Sequence, residues 1–245
     1  MAKKLDKNTE VIYGAHPIIE LLKAKKRRLL ELYTSKPVPK AFKKIESLLP
    51  KGLPVSYVNR DRLTALAGTT EHQGVVGLTT PCIIRKKFFE PDKQPFLLML
   101  DGIQDPRNLG GILRSAYCTG VDGVIITQKA SAPLNAAAFK ASAGLAEYLD
   151  IYYAPSAKAA VLQLKQVGYA IYLSMLSDKA KTVTDVTFKQ PLCIVIGSEE
   201  MGISSDIKAD GQAIIVPQKK ADISYNASVA SGILLFLAAT QLERI

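Results

Sequence analysis

Beyond Pro95, short apolar runs alternate with helix-like segments, and this alternation constrains the fold more than any other feature of the chain. Five runs stand out, at 96–100, 123–127, 171–174, 192–196 and 213–216. Between and after them, 109–119, 135–147, 157–167 and 227–242 carry helix-like patterns. An apolar run of four or five residues with no polar alternation reads as a strand covered on both faces. Strands of that kind separated by helices specify a mostly parallel α/β sheet with helices on both sides. In such sheets ligands bind beyond the carboxyl ends of the strands. That rule directs attention to the segments after Leu100, Ile196 and Val216.

The segment before Pro95 is organised differently. A helix is expected near His16-Pro17, because proline suits a first helical turn. Strands are expected at 29–34, 55–58 and 75–80, and further helices at 41–49 and 61–67. The charged stretch 82–95, with Pro91 and Pro95, reads as a connector. The expected division is therefore a small α/β domain over 1–81, a linker over 82–95 and a larger domain over 96–245.

Charge separates the same two parts. Eighteen of the 32 Lys and Arg, but only eight of the 22 Asp and Glu, fall within residues 1–90. The remaining residues carry fourteen of each, so the net charge of +10 belongs to the first third. Lys23, Lys25, Lys26, Arg27 and Arg28 form one cluster and Arg85-Lys86-Lys87 another. A local field of that sign attracts polyanions, and RNA is the expected partner. The alternative for either cluster is a solvated surface, or lysines complementing a helix C-terminus. No basic amphipathic helix carries aromatic anchors, which argues against a membrane surface. The longest run of apolar and small residues, 227–240, is too short to span a bilayer. The opening MAKKLDKNTE has no apolar stretch after its lysines, so a cytoplasmic protein is expected. Three well-separated cysteines and two histidines leave no disulfide framework and no metal site to expect.

Three loops hold unusual residues. After the first apolar run, Asn108 is placed to cap a helix, with Gly110 and Gly111 in its first turn and Arg114 on the same face. Those glycines sacrifice helix propensity either for an open surface, where Arg114 holds a phosphate, or for close packing of the helix. After the fourth run, Ile196-Gly-Ser-Glu-Glu-Met-Gly202 brackets two carboxylates with glycines. Carboxylates disfavour a phosphate cradle; a cationic or hydroxyl-bearing ligand suits the loop better, and an ordinary turn with solvated glutamates is the bland alternative. After the fifth run, Ser224 and Asn226 precede a helix of small and apolar residues, as N-caps or as part of a site.

In this order and at these spacings, the loops resemble the three signature motifs of the SpoU (TrmH) family of RNA ribose 2′-O-methyltransferases. The segments that carry the resemblance are Asn108-Leu-Gly-Gly-Ile-Leu-Arg114, Ile196-Gly-Ser-Glu-Glu-Met-Gly202, and Ile215-Val-Pro with Ser224-Tyr-Asn-Ala-Ser-Val-Ala-Ser-Gly232. Leu134-Asn135 and Ser142-Ala-Gly144 extend it. Tyr13-Gly-Ala-His-Pro17 and His72-Gln-Gly-Val75 are similar to the family's amino-terminal substrate-binding domain. Tyr225 stands where the family usually has Leu, and Asp222-Ile223 differs from its more usual small or hydroxyl residues. The resemblance implies a carboxyl-terminal deep trefoil knot, where pattern alone would draw an ordinary doubly wound sheet. It implies S-adenosyl-L-methionine as cofactor, held through Gly197, Val216 and Tyr225. It further implies a homodimer and a reaction centre formed by Asn108, Arg114, Glu199, Ser224 and Asn226. The added front domain points to 23S rRNA as first substrate, with tRNA as second.

The chemistry suits those residues. A ribose hydroxyl is a poor nucleophile and must be held in line with the donated methyl. A guanidinium does not deprotonate in proteins, so Arg114 reads as a phosphate holder and charge stabiliser rather than a base. Two alternatives stay open: a non-catalytic RNA-binding protein and, less well supported, a nucleotide-dependent oxidoreductase. The latter lacks a GxGxxG after the 96–100 run.

Overall fold

The computed structural model describes residues 8–219 and 224–245, so Asp222 and Ile223 lie outside the described residues. The chain forms two compact units. One holds the residues up to Ile83 together with Pro133–Tyr148, and the other holds Ile84–Ala132 and Leu149–Ile245.

The front of the chain runs β1 (Glu10–Tyr13), α1 (Ala15–Ala24), β2 (Leu29–Thr34), α2 (Phe42–Glu46), β3 (Val55–Tyr57), α3 (Arg60–Ala67) and β4 (Val75–Thr79). These strands form one sheet in the order β1-β4-β2-β3, with only β2 and β3 parallel. The apolar stripe of α1 (Ile18, Ile19, Leu21) packs with Leu29 and Leu32 of β2 and with Phe42 and Ile45 of α2. Four residues long and without strict alternation, β1 gives no strand signal of its own; its pairing with β4 makes it a strand.

The basic cluster at the end of α1 is not uniform. Arg27 is only 6% exposed. Its Nε and Nη2 donate to the Glu147 carboxylate at 2.6–3.1 Å and its Nη1 donates to Glu10 at 2.8 Å. Its guanidinium also lies 4.2 Å from the centre of the Phe139 ring. A buried guanidinium is tolerable only when its donors are paired in this way. Arg27 is therefore part of the core and does not belong to the RNA-attracting set. Lys23, Lys25, Lys26 and Arg28 are exposed.

The rest of the chain runs β5 (Phe96–Asp101), α4 (Pro106–Cys118), β6 (Gly123–Thr127), α5 (Ala136–Ala141), β7 (Ile151–Ala154), α6 (Ala157–Val167), β8 (Ala170–Ser174), β9 (Lys181–Thr182), β10 (Leu192–Gly197), β11 (Gln212–Ile215) and α7 (Ala227–Gln241). Seven strands form a sheet in the order β7-β6-β5-β10-β8-β11-β9. Every neighbouring pair is parallel. All six residues of β5 and of β10 are buried, as expected for central parallel strands covered on both faces. No helix among the described residues is long and apolar enough to cross a membrane.

Three expectations change. Asn108 is not a helix cap: Asp105 caps α4, accepting from Arg107 N at 2.8 Å, and Pro106 supplies the preset first turn. The helix expected over 135–147 stops at Ala141, because Ala143 and Gly144 take positive φ values of 54° and 86°. A short 3-10 turn, Leu145–Tyr148, follows it, and the whole 133–148 stretch clusters with the front of the chain rather than with its flanking strands. The stretch read as a connector is packed instead of free. Phe89 is 2% exposed in the second unit's core, beside Leu97, Ile125 and Tyr169. Arg85 donates its backbone N–H to Ile151 O at 2.8 Å.

Candidate active site

The carboxyl ends of β8, β10 and β11 open into a cleft of about 440 Å³. Residues 174–176, 196–203, 214–216 and 224–227 line it, with Lys208, Gln218 and Ala230. Its place in the sheet follows the rule for open parallel sheets, although the loop after β5 reaches it only through hydrogen bonds.

Each wall has a local cause. After β10, the backbones of Ser198 and Gly202 pair in both directions, at 3.1 and 3.0 Å, and fold the loop back on itself. That fold brings the backbone against Gly197 so closely that a Cβ there would lie 2.2 Å from the Gly202 carbonyl carbon. No other residue fits without moving backbone. Asp101, 6% exposed at the end of β5, pins the loop's exit. It accepts from Ser204 N at 2.8 Å and from Ser204 Oγ at 3.0 Å. Asn226 caps α7, accepting from Ser228 N at 2.9 Å and from Ser228 Oγ at 2.6 Å.

Because Asp105 does the capping of α4, the side chain of Asn108 is left for the site. Its Nδ2 donates to Glu199 Oε1, and its Oδ1 accepts from Asn226 Nδ2 at 3.1 Å. Ser228, Asn226, Asn108 and Glu199 thus form one hydrogen-bonded run joining the starts of α4 and α7 to the loop after β10. A run of this kind fixes which way each amide faces.

The eight residues expected to form the site divide three ways. Gly197, Val216, Glu199, Ser224, Tyr225 and Asn226 line the cleft. Asn108 does not line it but bonds to two residues that do. Arg114 is exposed on α4 and outside the lining. Of the two glycines beside it, Gly111 serves packing: a Cβ there would come within 3.2 Å of Ser228 Cβ, where α4 lies on α7. Outside the motifs the lining also draws on the end of β8 at 174–176, Ile203, Lys208, Ile214 and Gln218. The strand-end rule, applied to the 171–174 run as to the others, finds the first of these.

S-adenosylmethionine, a nucleoside bearing a sulfonium, an ammonium and a carboxylate, fits these residues. The volume lies within the usual range for small-molecule sites. Glu199 and Glu200 offer negative charge and Lys208 positive charge on the same walls. The side-chain nitrogen of Gln218 is buried there without a hydrogen-bond partner among the described residues.

Known proteins resemble this chain in sequence and in fold. The model of the SpoU rRNA Methylase family matches residues 95–236. That of the RNA 2′-O ribose methyltransferase substrate-binding domain matches residues 11–82. A 23S rRNA (guanosine-2′-O-)-methyltransferase, RlmB, of Acinetobacter baylyi is 31% identical over 95% of this chain and 97% of its own length. A crystal structure of an RNA 2′-O ribose methyltransferase has the same fold, with a TM-score of 0.85 at 21% identity over 97% of this chain and 90% of that one. The SpoU methyltransferase AviRb of Streptomyces viridochromogenes, solved with AdoMet, gives a TM-score of 0.78 at 21% identity over 97% of this chain and 92% of its own. The chain therefore belongs to the SpoU rRNA methylase family of S-adenosylmethionine-dependent RNA ribose 2′-O-methyltransferases.

Proposed function

We propose that this methyltransferase modifies a guanosine ribose in 23S rRNA, with its cofactor in the cleft at the ends of β8, β10 and β11. The observation that carries the reading is the run Ser228–Asn226–Asn108–Glu199, which ties the starts of α4 and α7 to the loop after β10 beside one cleft. The rRNA assignment is supported by a relative of that activity matching 95% of the chain, and by the substrate-binding match at 11–82. The front unit delivers the RNA, and the unit built on the parallel sheet holds the cofactor.

When bound, the cofactor supplies a sulfonium methyl as the electrophile. Gly197, Val216 and Tyr225 hold it, the glycine letting the loop after β10 fold back against the end of its own strand. Asn108 and Asn226, their amides fixed by each other and by Glu199 and Ser228, orient the ribose together with Ser224. Arg114 is exposed and makes no hydrogen bond or ion pair among the described residues. It grips the phosphate beside the target and offsets negative charge growing on the attacking oxygen, whose proton passes to water as the methyl is taken from sulfur. Glu199 acts through Asn108 and adds a negative field favourable to the sulfonium.

The enzyme works in the cytoplasm as a homodimer joined through α4 and α7. These helices pack together and leave Tyr117, Val229 and Phe236 40–56% exposed, an apolar surface suited to a second copy. A knotted backbone in the carboxyl-terminal segment is supported by the strand order, in which the late strand β10 lies between β5 and β8.

The test uses methyl transfer from labelled S-adenosylmethionine to a 23S rRNA fragment, with S-adenosylhomocysteine affinity measured alongside. Arg114→Lys keeps the charge but loses the two-pronged grip, and is expected to lower kcat/KM by roughly 10²–10³-fold. Product affinity should stay within about twofold, as fits a group that meets RNA and not the cofactor. Undiminished transfer by the variant would remove Arg114 from the reaction centre.

A further inference from the structure

Gln218 lies three residues beyond β11 and lines the cleft, yet none of the three motifs singles it out. Its Nε2 has no solvent contact and no hydrogen-bond partner, and it is the one side-chain polar atom so placed among the described residues. Native proteins rarely leave a buried amide donor unsatisfied, because the water it gave up is not replaced. A donor held this way inside a ligand cleft gains most when the ligand returns the missing bond.

The choice of ligand group follows from what else lines the walls. A carboxylate in the cleft would find a stronger partner in the Lys208 ammonium, and an ammonium would find one in Glu199 or Glu200. What remains of the cofactor is its nucleoside. The carboxamide sits close to the apolar residues Ile214, Ile215 and Val216 in the chain, and these suit a flat aromatic base. A glutamine amide pairs two-fold with adenine, donating to a ring nitrogen while accepting from the 6-amino group.

We propose that Gln218 is a specificity residue that reads the adenine edge of the cofactor through its carboxamide. This rests on the cofactor reading of the cleft given above.

Gln218→Leu tests it, because leucine keeps the approximate volume and removes both polar atoms. Calorimetry with S-adenosylhomocysteine should show affinity weakened about 10- to 100-fold, the loss expected when a ligand's polar edge is left unpaired. The analogue lacking the 6-amino group should bind the wild type about tenfold more weakly than S-adenosylhomocysteine, and the variant with nearly equal affinity for both. Thermal melting supplies a readout that a structural role would move in the opposite direction. The ligand-free variant should melt at the wild-type temperature or above it, since an unpaired buried donor is gone, while its shift on adding S-adenosylhomocysteine shrinks. Equal affinity of variant and wild type for S-adenosylhomocysteine would overturn the assignment. So would a ligand-free variant that melts well below the wild type, or equal sensitivity of both proteins to loss of the 6-amino group. A wild type that binds no S-adenosylhomocysteine is a different failure, since it removes the cofactor from the cleft and the proposal with it.

Discussion

His72 shows how one buried ring sets a pH limit on the front unit. It is fully buried, its Nδ1 accepts from Gly74 N at 3.0 Å, and its Nε2 lies 3.2 Å from Thr64 Oγ1. An accepting Nδ1 places the single ring proton on Nε2, so the neutral ring satisfies both contacts. A second proton would have to sit against the Gly74 N–H. Burial first, and the nearby charge of Arg60 second, hold the pKa below its ordinary 6.5. The sign follows: below about pH 6.5 the unfolded chain takes up a proton that the native ring refuses. Stability from this group is complete above that pH and declines as pH falls through 6.5 toward the lowered native value. Melting temperatures recorded between pH 7.5 and 5.5 should fall on the acid side. His72→Gln should start lower and lose the part of the slope that belongs to the imidazole. An unchanged slope in the variant would show that other groups set it. His72 is thus occupied in holding a turn.

At the scale of elements, the stretch before β5 carries the sharpest test. Phe89, buried in the second unit's core, meets Phe88 and Tyr152 edge-on at centroid distances of 5.9 and 6.5 Å. A true connector would tolerate its loss. A core position would not: Phe89→Ala should cost about 3–5 kcal/mol, read as a lower denaturant midpoint at unchanged slope. The error in the sequence reading is instructive, because Pro91, Pro95 and six charged residues dominate the composition of 82–95 while two adjacent aromatics do the packing. Burial in a foreign core leaves no local signature. The central strands were legible because each carries five consecutive buried apolar residues, Phe96–Leu100 and Leu192–Ile196. β7 was missed because Ile151-Tyr-Tyr-Ala154 is half-exposed at the sheet's edge, and β9 because two residues carry no period. In the site, the glycines and carboxylates of 196–202 announced themselves by type. Gln218 did not, since a lone glutamine in a loop acquires meaning only from the burial of its amide.

For the whole molecule, the decisive quantity is the uneven charge. The net +10 lies within residues 1–90, but Arg27 is sealed in the core against Glu147 and Glu10, and Lys23 pairs with Glu20 at 2.8 Å. What can meet RNA near that helix end reduces to Lys25, Lys26 and Arg28, of which Lys26 also donates to Tyr148 O at 2.9 Å. Cutting the chain at residue 90 would be a poor test of RNA delivery. It would strip 133–148 of the unit it packs with, orphan Glu147 and remove Phe89, so loss of binding would report unfolding. Charge reversal at the surface avoids this. Lys25→Glu with Arg28→Glu should weaken rRNA-fragment binding and flatten the dependence of log affinity on log salt by about 0.7–0.9 for each phosphate that is no longer neutralised. S-adenosylhomocysteine affinity should not move, since neither residue is in the sheet unit that holds the cleft. Lys179→Glu with Lys189→Glu, exposed sites in the charge-balanced part, serves as the matched control and should leave the slope nearly unchanged. If both pairs flatten the slope equally, attraction is a property of net charge alone and the front unit has no special part in it. If only the front pair does, the excess positive charge there is a docking surface for the polynucleotide, and the family's division into an RNA-binding front and a methyl-transferring back is drawn in this chain's own charges.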